Sequence, residues 1–122
     1  MKCVLLDTNF LMIPGKFKVD VFAELDKLGY KPVVLSSVHG ELNKIASGHG
    51  KAGTEAKVAL QILGMNKPEM IEARGPVDLA LLRRATESGC AIATNDAALI
   101  ERAKEKGIRI LRLRQRKFVV EA

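Results

Sequence analysis

The chain has 122 residues, 48 % of them hydrophobic and 28 % charged, which predicts one compact domain over 1–122 and excludes a disordered or fibrous protein. Twenty Lys and Arg against fourteen Asp and Glu give a net charge of +6, which favours polyanionic partners. The chain has no Trp and one Tyr, so we expect any nucleic-acid contact to depend on charge and backbone more than on aromatic stacking.

The first half of the chain is predicted to begin with a buried parallel strand, because an uninterrupted apolar run ends at turn-forming and helix-capping residues. Glycines mark the end of the predicted helix over 19–28 and the predicted loop over 47–53. The elements are a strand over 3–6, a loop or short helix over 10–17, a helix over 19–28, a strand over 32–35, a helix opening at Ser36 or Ser37, and a flexible basic loop over 47–53.

The second half continues the alternation of strands and helices. The predicted elements are a helix from Thr54 to Gly64, a brief strand at 70–71, a helix over 77–88 with Leu79 buried, a strand over 91–93, a helix over 98–106 and a final strand over 108–113. This alternation predicts an α/β fold, in which a mostly parallel central sheet is covered by helices on both faces.

Four acidic residues end predicted strands or lie near the start of predicted helices: Asp7, Glu41, Asp78 and Asp96. Ligands of an open parallel sheet bind outside the carboxyl ends of its strands, so these acids are predicted to share one cleft. Any single Asp could instead be an ordinary helix or turn cap. Four carboxylates in one cleft would repel one another unless a cation neutralised them, and oxygen ligands suit Mg²⁺ or Mn²⁺. Such a site supports phosphodiester hydrolysis.

Basic residues are candidates for contact with a nucleic-acid backbone at two places. These are the loop that contains Lys51 and the C-terminal region of the last predicted strand and the residues after it, which contains Arg112, Arg114 and Arg116. The alternative is a solvated surface loop and an edge strand whose charges discourage pairing with other chains. Binding to a phosphate backbone would weaken steeply with salt.

The segment 48–54 comes close to a phosphate-binding loop, but Thr54 stands where Lys is required and a helix precedes it, so we reject a nucleotide-binding loop. His39 and His49 are interpreted as solvated or capping residues, with a substrate contact as the alternative.

Cys3 and Cys90 are too few for a disulfide scaffold and too distant for a zinc knuckle. We expect buried thiols; the alternative is a disulfide in the cytosol of a hyperthermophile, if their strands are neighbours.

No charged region, apolar region and cleavage site of an export signal precede the first strand. No apolar run approaches the roughly 20 residues that cross a bilayer. We therefore expect a cytoplasmic protein without a membrane partner.

Taken together, the motifs resemble those of PIN-domain nucleases. The matching segments are residues 4–9, 37–42, 77–78 and 92–96, and the resemblance spans the chain from residue 3 to about 113. It implies a three-layer α/β/α sandwich, Mg²⁺ or Mn²⁺ at the acidic cluster, and endoribonuclease activity, often in a homodimer. The glycine-rich segment after Glu41 looks more like that of the archaeal branch related to ribosome-processing PIN nucleases than that of the compact toxins of toxin–antitoxin pairs. The wider resemblance includes VapC-like toxin ribonucleases.

The resemblance also implies roles for single residues. Asp7, Glu41, Asp78 and Asp96 would be catalytic metal ligands, and the neighbours expected to orient these carboxylates or bound water are Thr8, Asn9, Thr94 and Asn95. The implied partners are RNA and an antitoxin or a ribosome-maturation factor. Two alternatives remain open, a non-catalytic RNA- or protein-binding module of the same fold, and a response-regulator-like or phosphatase domain, whose further Lys or Asp is not supplied beside Asp7.

Overall fold

The structure, a computed structural model, describes residues 2–122. Over this range strands and helices alternate along the chain. The strands are β1 (Lys2–Leu6), β2 (Tyr30–Leu35), β3 (Glu69–Ile71), β4 (Ala91–Ala93), β5 (Ile110–Arg114) and β6 (Phe118–Glu121). The helices are α1 (Thr8–Leu11), α2 (Ile13–Phe17), α3 (Val21–Lys27), α4 (Ser36–Ala46), α5 (Gly50–Asn66), α6 (Val77–Ser88) and α7 (Ala97–Glu105).

The strands form one sheet in the order β3-β2-β1-β4-β5-β6. All neighbouring pairs are parallel except β5 and β6, which are antiparallel. The predicted fold class, an α/β protein with a mostly parallel central sheet, is confirmed. Within the described residues, none of the helices is long and apolar enough to cross a membrane.

The central strand β1 explains why the chain folds around this sheet. Its residues Val4, Leu5 and Leu6 are fully buried, as the unbroken apolar run predicts for a strand covered on both faces. From β1 the chain runs outward to β2 and β3, and then returns to the other side of β1 as β4. The carboxyl ends of β1 and β4 therefore flank the point where the strand order reverses, which is the usual ligand position in such sheets.

The predicted loop over 47–53 is wrong, because α5 already begins at Gly50 and the connection from α4 is short. Glycines favour loops in general, but Gly53 is required here by packing, since a Cβ at this position would collide with the backbone of Gly48. Thr54, where this helix was predicted to begin, lies inside α5, and its hydroxyl donates to the carbonyl of Gly50. Leu79, predicted to be buried, is 45 % exposed.

The strand β6 was not predicted. It joins β5 through a tight turn in which the N–H of Lys117 donates to the carbonyl of Arg114. The central residues of this turn, Gln115 and Arg116, have φ angles of 54° and 56°, although neither is glycine or asparagine. The turn therefore carries none of the residues by which such hairpins are recognised in a sequence.

The expectation of two buried thiols is wrong, because Cys3 and Cys90 form a disulfide. The register of β1 and β4 pairs Val4 with Ala91, so the two cysteines lie one position earlier on adjacent strands. Their Cα atoms are 4.8 Å apart, within the range that a disulfide requires. The pairing follows from the strand neighbourhood, which the sequence left open.

Candidate active site

Asp7 lies at the carboxyl end of β1 and is buried, with 5 % of its surface exposed. Its backbone N–H donates to the carbonyl of Ala93, so the backbone pairing of β1 with β4 extends to this residue. Its Oδ1 accepts from the N–H of Thr8 at 2.8 Å, and its Oδ2 accepts from the hydroxyl of Thr94 at 2.7 Å. The carboxylate is thus fixed by the start of α1 on one side and by the end of β4 on the other.

Thr94 connects Asp7 to a second acid. Its fully buried hydroxyl donates to Asp7 and accepts from the N–H of Asp96 at 3.1 Å. Asp96 caps α7, because its Oδ1 accepts from the N–H groups of Ala98 and Leu99. A capping role was the ordinary alternative for this residue, and it coexists with a position beside Asp7.

Asp78 reaches the same region from the first turn of α6. The loop before this helix is held by Ser36, whose hydroxyl donates to the carbonyl of Ala73 and accepts from the N–H of Ala73. Because Ser36 directly follows β2, it ties the approach to Asp78 to the carboxyl edge of the sheet. Ser36 directly follows a strand, as Asp7 does. This position was a signal in the sequence for a positioning role of Ser36, which was not predicted.

The pKa of Asp7 is raised above its usual value. Burial is the main cause, because it disfavours the charged form. The hydrogen bonds from Thr94 and Thr8 act in the opposite direction, while the charges of Asp78 and Asp96 raise the pKa further. The structure therefore places Asp78 and Asp96 within electrostatic range of the buried carboxylate of Asp7, and no cation among the described residues lowers the pKa of this group.

Glu41 is in a different situation. It lies exposed on α4, and its charge is not among those that raise the pKa of Asp7. Moreover, no three His, Cys, Asp or Glu side chains among residues 2–122 lie close enough together to hold a metal ion. The assignment of all four acids as ligands of one ion stays a prediction.

The neighbours of the acids have different contacts. Thr94 bonds to Asp7, as the resemblance implied, but the amide of Asn95 is directed elsewhere: its Nδ2 donates to the carbonyl of Leu113 and its Oδ1 accepts from the N–H of Leu113. The expectation that Asn95 orients a carboxylate is therefore corrected, since this amide continues the pairing of β4 with β5. Asn9 is exposed on α1.

Thr8 provides a test of whether the site suits a cation. Its side chain is 1 % exposed, and its Oγ1 is buried without a hydrogen-bond partner in the part of the chain that the structure describes. An unpaired buried hydroxyl beside mutually repelling carboxylates is unfavourable unless a further group completes the site. A hard divalent cation would neutralise the carboxylates, and its bound water would give the hydroxyl of Thr8 a hydrogen-bond partner, because such ions prefer oxygen ligands. The residues present fit this group.

Comparison with known proteins identifies the family. A family described as PIN-like domain matches residues 4–116, which is nearly the whole chain. The chain belongs to the PIN-like domain family. The resemblance drawn from the four acidic motifs is thereby confirmed at the level of the family.

Two curated relatives of the chain are archaeal. The chain is 34 % identical over 121 residues to "Ribonuclease VapC9" of Archaeoglobus fulgidus, covering 98 % of this chain and 88 % of the relative. It is 28 % identical over 118 residues to "Ribonuclease VapC4" of Methanocaldococcus jannaschii, covering 92 % and 90 %. A solved domain of a functionally unknown protein from the latter organism has a TM-score of 0.66 at 19 % identity, covering 93 % of this chain and 92 % of that one, and supports the fold.

Proposed function

We propose that this protein is an endoribonuclease that hydrolyses RNA phosphodiester bonds with the help of Mg²⁺ or Mn²⁺. The observation that carries the proposal is Asp7, a buried carboxylate at the strand-reversal point whose pKa is raised by burial and by two further acids. The names of both curated relatives, ribonucleases with which this chain aligns over nearly its whole length, support the same activity.

Asp7 would hold the cation together with Asp78 and Asp96, partly through bound waters, because the three carboxylates do not form a closed three-ligand group among the described residues. The hydroxyl of Thr8 would be available to one of these waters. Asp96 uses Oδ1 for the cap of α7, which leaves its Oδ2 for a cation. The chemistry that a divalent cation supplies at such a site is an activated water and neutralisation of charge on the phosphate. Thr94 holds the carboxylate of Asp7 in one orientation. A role of Glu41 as a further ligand stays a prediction of the family resemblance.

The test is cleavage of a labelled RNA by the purified chain with Mn²⁺ or Mg²⁺. Asp7→Asn and Asp96→Asn should each lower the rate by at least about 100-fold, because metal-site substitutions have effects of this order or larger. Asp26→Asn is the matched control, since Asp26 is an exposed acid on α3 with no contact to the site. Cleavage by Asp7→Asn at the wild-type rate would overturn the proposal.

The same experiment separates the enzyme from a non-catalytic RNA- or protein-binding module. Salt-sensitive RNA binding without cleavage under either metal would favour the module, and the absence of a closed three-ligand group among residues 2–122 is the observation on its side. A homodimer, an antitoxin and a ribosome-maturation factor stay predictions of the family resemblance.

A further inference from the structure

A cleft of about 560 Å³ lies between α2 and the start of α5, within the range of roughly 300–1,000 Å³ typical of ligand sites. Its walls are formed by Gly15, Lys16 and Phe17 on one side and Gly50, Lys51, Thr54 and Glu55 on the other. The helices approach closely because Gly15 has no side chain; a Cβ there would lie 3.1 Å from the Cα of Glu55. We call this the α2–α5 cleft.

Phe17 forms an aromatic wall of the cleft beneath two cations. The ammonium of Lys16 lies 5.7 Å and the guanidinium of Arg116 lies 5.3 Å from the centre of the Phe17 ring, both within the range of cation–π contacts. Lys51 lines the opposite wall. The half-buried ring of Phe17 thus has two positive charges beside it, and a third lines the same cleft.

The cleft is connected to the edge of the sheet that carries the acids. Arg116 follows β5 beyond its carboxyl end, and Leu113 near that end is bonded to the amide of Asn95, the neighbour of Asp96. Phe17 is reached from Asp7 through only α1 and α2. An RNA strand that contacts both the acids and the cleft would have to cross this edge of the sheet.

The turn that presents Arg116 is conformationally costly. Successive φ angles of 54° and 56° at Gln115 and Arg116 are those of a hairpin turn in which Asn-Gly is preferred. Residues other than glycine are unfavourable in this region, and such strain is concentrated at functional positions. A binding role for the side chain of Arg116 would explain why an arginine, and not a glycine, occupies this strained position.

We propose that the α2–α5 cleft binds one nucleotide of a single-stranded RNA, in a subsite outside the cleaved bond. The base stacks on the Phe17 ring in place of the ammonium of Lys16, and the flanking phosphates pair with Lys16, Lys51 and Arg116. This inference rests on the proposed function, because it names how the same enzyme would hold its substrate. It revises the expectation that aromatic residues contribute little to RNA binding.

The test measures binding without cleavage. A short 2′-O-methyl oligonucleotide that contains 2-aminopurine is titrated with the full chain in EDTA, and anisotropy and base fluorescence are followed. Phe17→Leu, which keeps an apolar side chain, should weaken binding about 10-fold and abolish the fluorescence quenching, because stacking is lost. Lys51→Gln and Arg116→Gln should each weaken binding and lower the slope of log K against log salt by about one.

Two control variants match the charges removed. Arg109→Gln also removes a guanidinium from above an aromatic ring, that of Tyr30 at 5.8 Å, but at the opposite edge of the sheet. Lys57→Gln removes an exposed lysine further along α5. Both should leave binding within about twofold of wild type, since they change only the overall charge. Equal losses in Arg109→Gln and Arg116→Gln would overturn the proposal, because they would indicate non-specific attraction.

A double change in the turn keeps the test independent of folding. Gln115→Asn with Arg116→Gly supplies the preferred turn residues, so thermal unfolding should shift upward while RNA binding weakens. Binding of Phe17→Leu with wild-type affinity would reject the subsite. The subsite would also be rejected, and the cleft assigned to another ligand, if polyglutamate displaced the oligonucleotide and binding of the oligonucleotide did not quench the 2-aminopurine fluorescence. The binding experiment involves neither a metal ion nor cleavage. It can therefore reject the subsite while the proposed nuclease activity is supported, and it can support the subsite in a protein that shows no nuclease activity.

Discussion

The two edges of the central sheet differ in how completely their groups are paired. At the amino edge, side chains are cross-linked or paired, through the Cys3–Cys90 disulfide, the Tyr30–Glu121 hydrogen bond of 2.6 Å, the Lys31–Glu69 ion pair of 3.4 Å, and the cations of Lys2 and Arg109 near the ring of Tyr30. At the carboxyl edge, Asp7 is buried beside other acids, the hydroxyl of Thr8 has no partner among the described residues, and the turn at Gln115 and Arg116 is strained.

This difference separates stability from function within one sheet. Groups that lack partners in the folded chain reduce stability, and they persist where a ligand or substrate supplies the missing contact. The contacts of the amino edge can offset that cost, because none of the described side chains that form them is buried without a partner. We therefore expect substitutions at the amino edge to destabilise the protein and conservative substitutions at the carboxyl edge to stabilise it while impairing function.

The largest effect on stability is expected from the disulfide. Replacing Cys3 and Cys90 together by Ala should lower the free energy of unfolding by roughly 2–5 kcal/mol, because the bond closes a long loop in the unfolded chain. Urea denaturation of the variant and of wild type, with and without a reductant, measures the loss. If the variant and oxidised wild type unfold at the same urea concentration, the amino edge is not the main source of stability.

A smaller effect of opposite sign is expected at Asp7. Asp7→Asn should stabilise the metal-free protein by roughly 1–2 kcal/mol, because an amide removes a buried charge and can still accept from the N–H of Thr8. Asp20→Asn is the control, since Asp20 is an exposed acid that caps α3. A lower midpoint in Asp7→Asn than in wild type would show that the carboxylate is well compensated, and the comparison of edges would fail.

The smallest effect is the pH dependence of stability. The pKa of Asp7 is higher in the folded than in the unfolded chain, so between the unfolded value near 3.8 and the folded value the native state binds more protons. The contribution of this group to stability is therefore greatest below that window and decreases as pH rises through it. The measurement is the difference between the urea midpoint of the metal-free wild type and that of Asp7→Asn at several pH values. This difference should decrease as pH rises through the window, and an increase would contradict the prediction.

The parts of the fold that follow local patterns were predictable from sequence. The apolar run before Asp7 predicted β1, and Gly89, which has a φ of 76° after α6, marked the predicted end of that helix. The rule that parallel strands end at one edge also predicted that Asp96 lies near Asp7, whose pKa it raises, whereas one site made of all four acids stays a prediction. These inferences succeeded because each depends on one segment or on strand direction alone.

The parts that depend on contacts between segments were not predictable. Gly53 looked like a loop residue, although it is needed for the close passage of Gly48. The hairpin was missed because its turn contains no glycine or asparagine, and the role of Asn95 depends on its pairing with β5. The unpaired hydroxyl of Thr8 becomes visible only when every neighbour is known.

The Cys3–Cys90 bond also changes the connectivity of the molecule. It closes the chain into a covalent ring that contains Asp7, Glu41 and Asp78, from which the segment with Asp96 and the hairpin leaves as a tail. A single break of the backbone anywhere in this ring, including the short exposed connection between α4 and α5, would leave both fragments in one molecule. All four acids would then still belong to the same covalent unit.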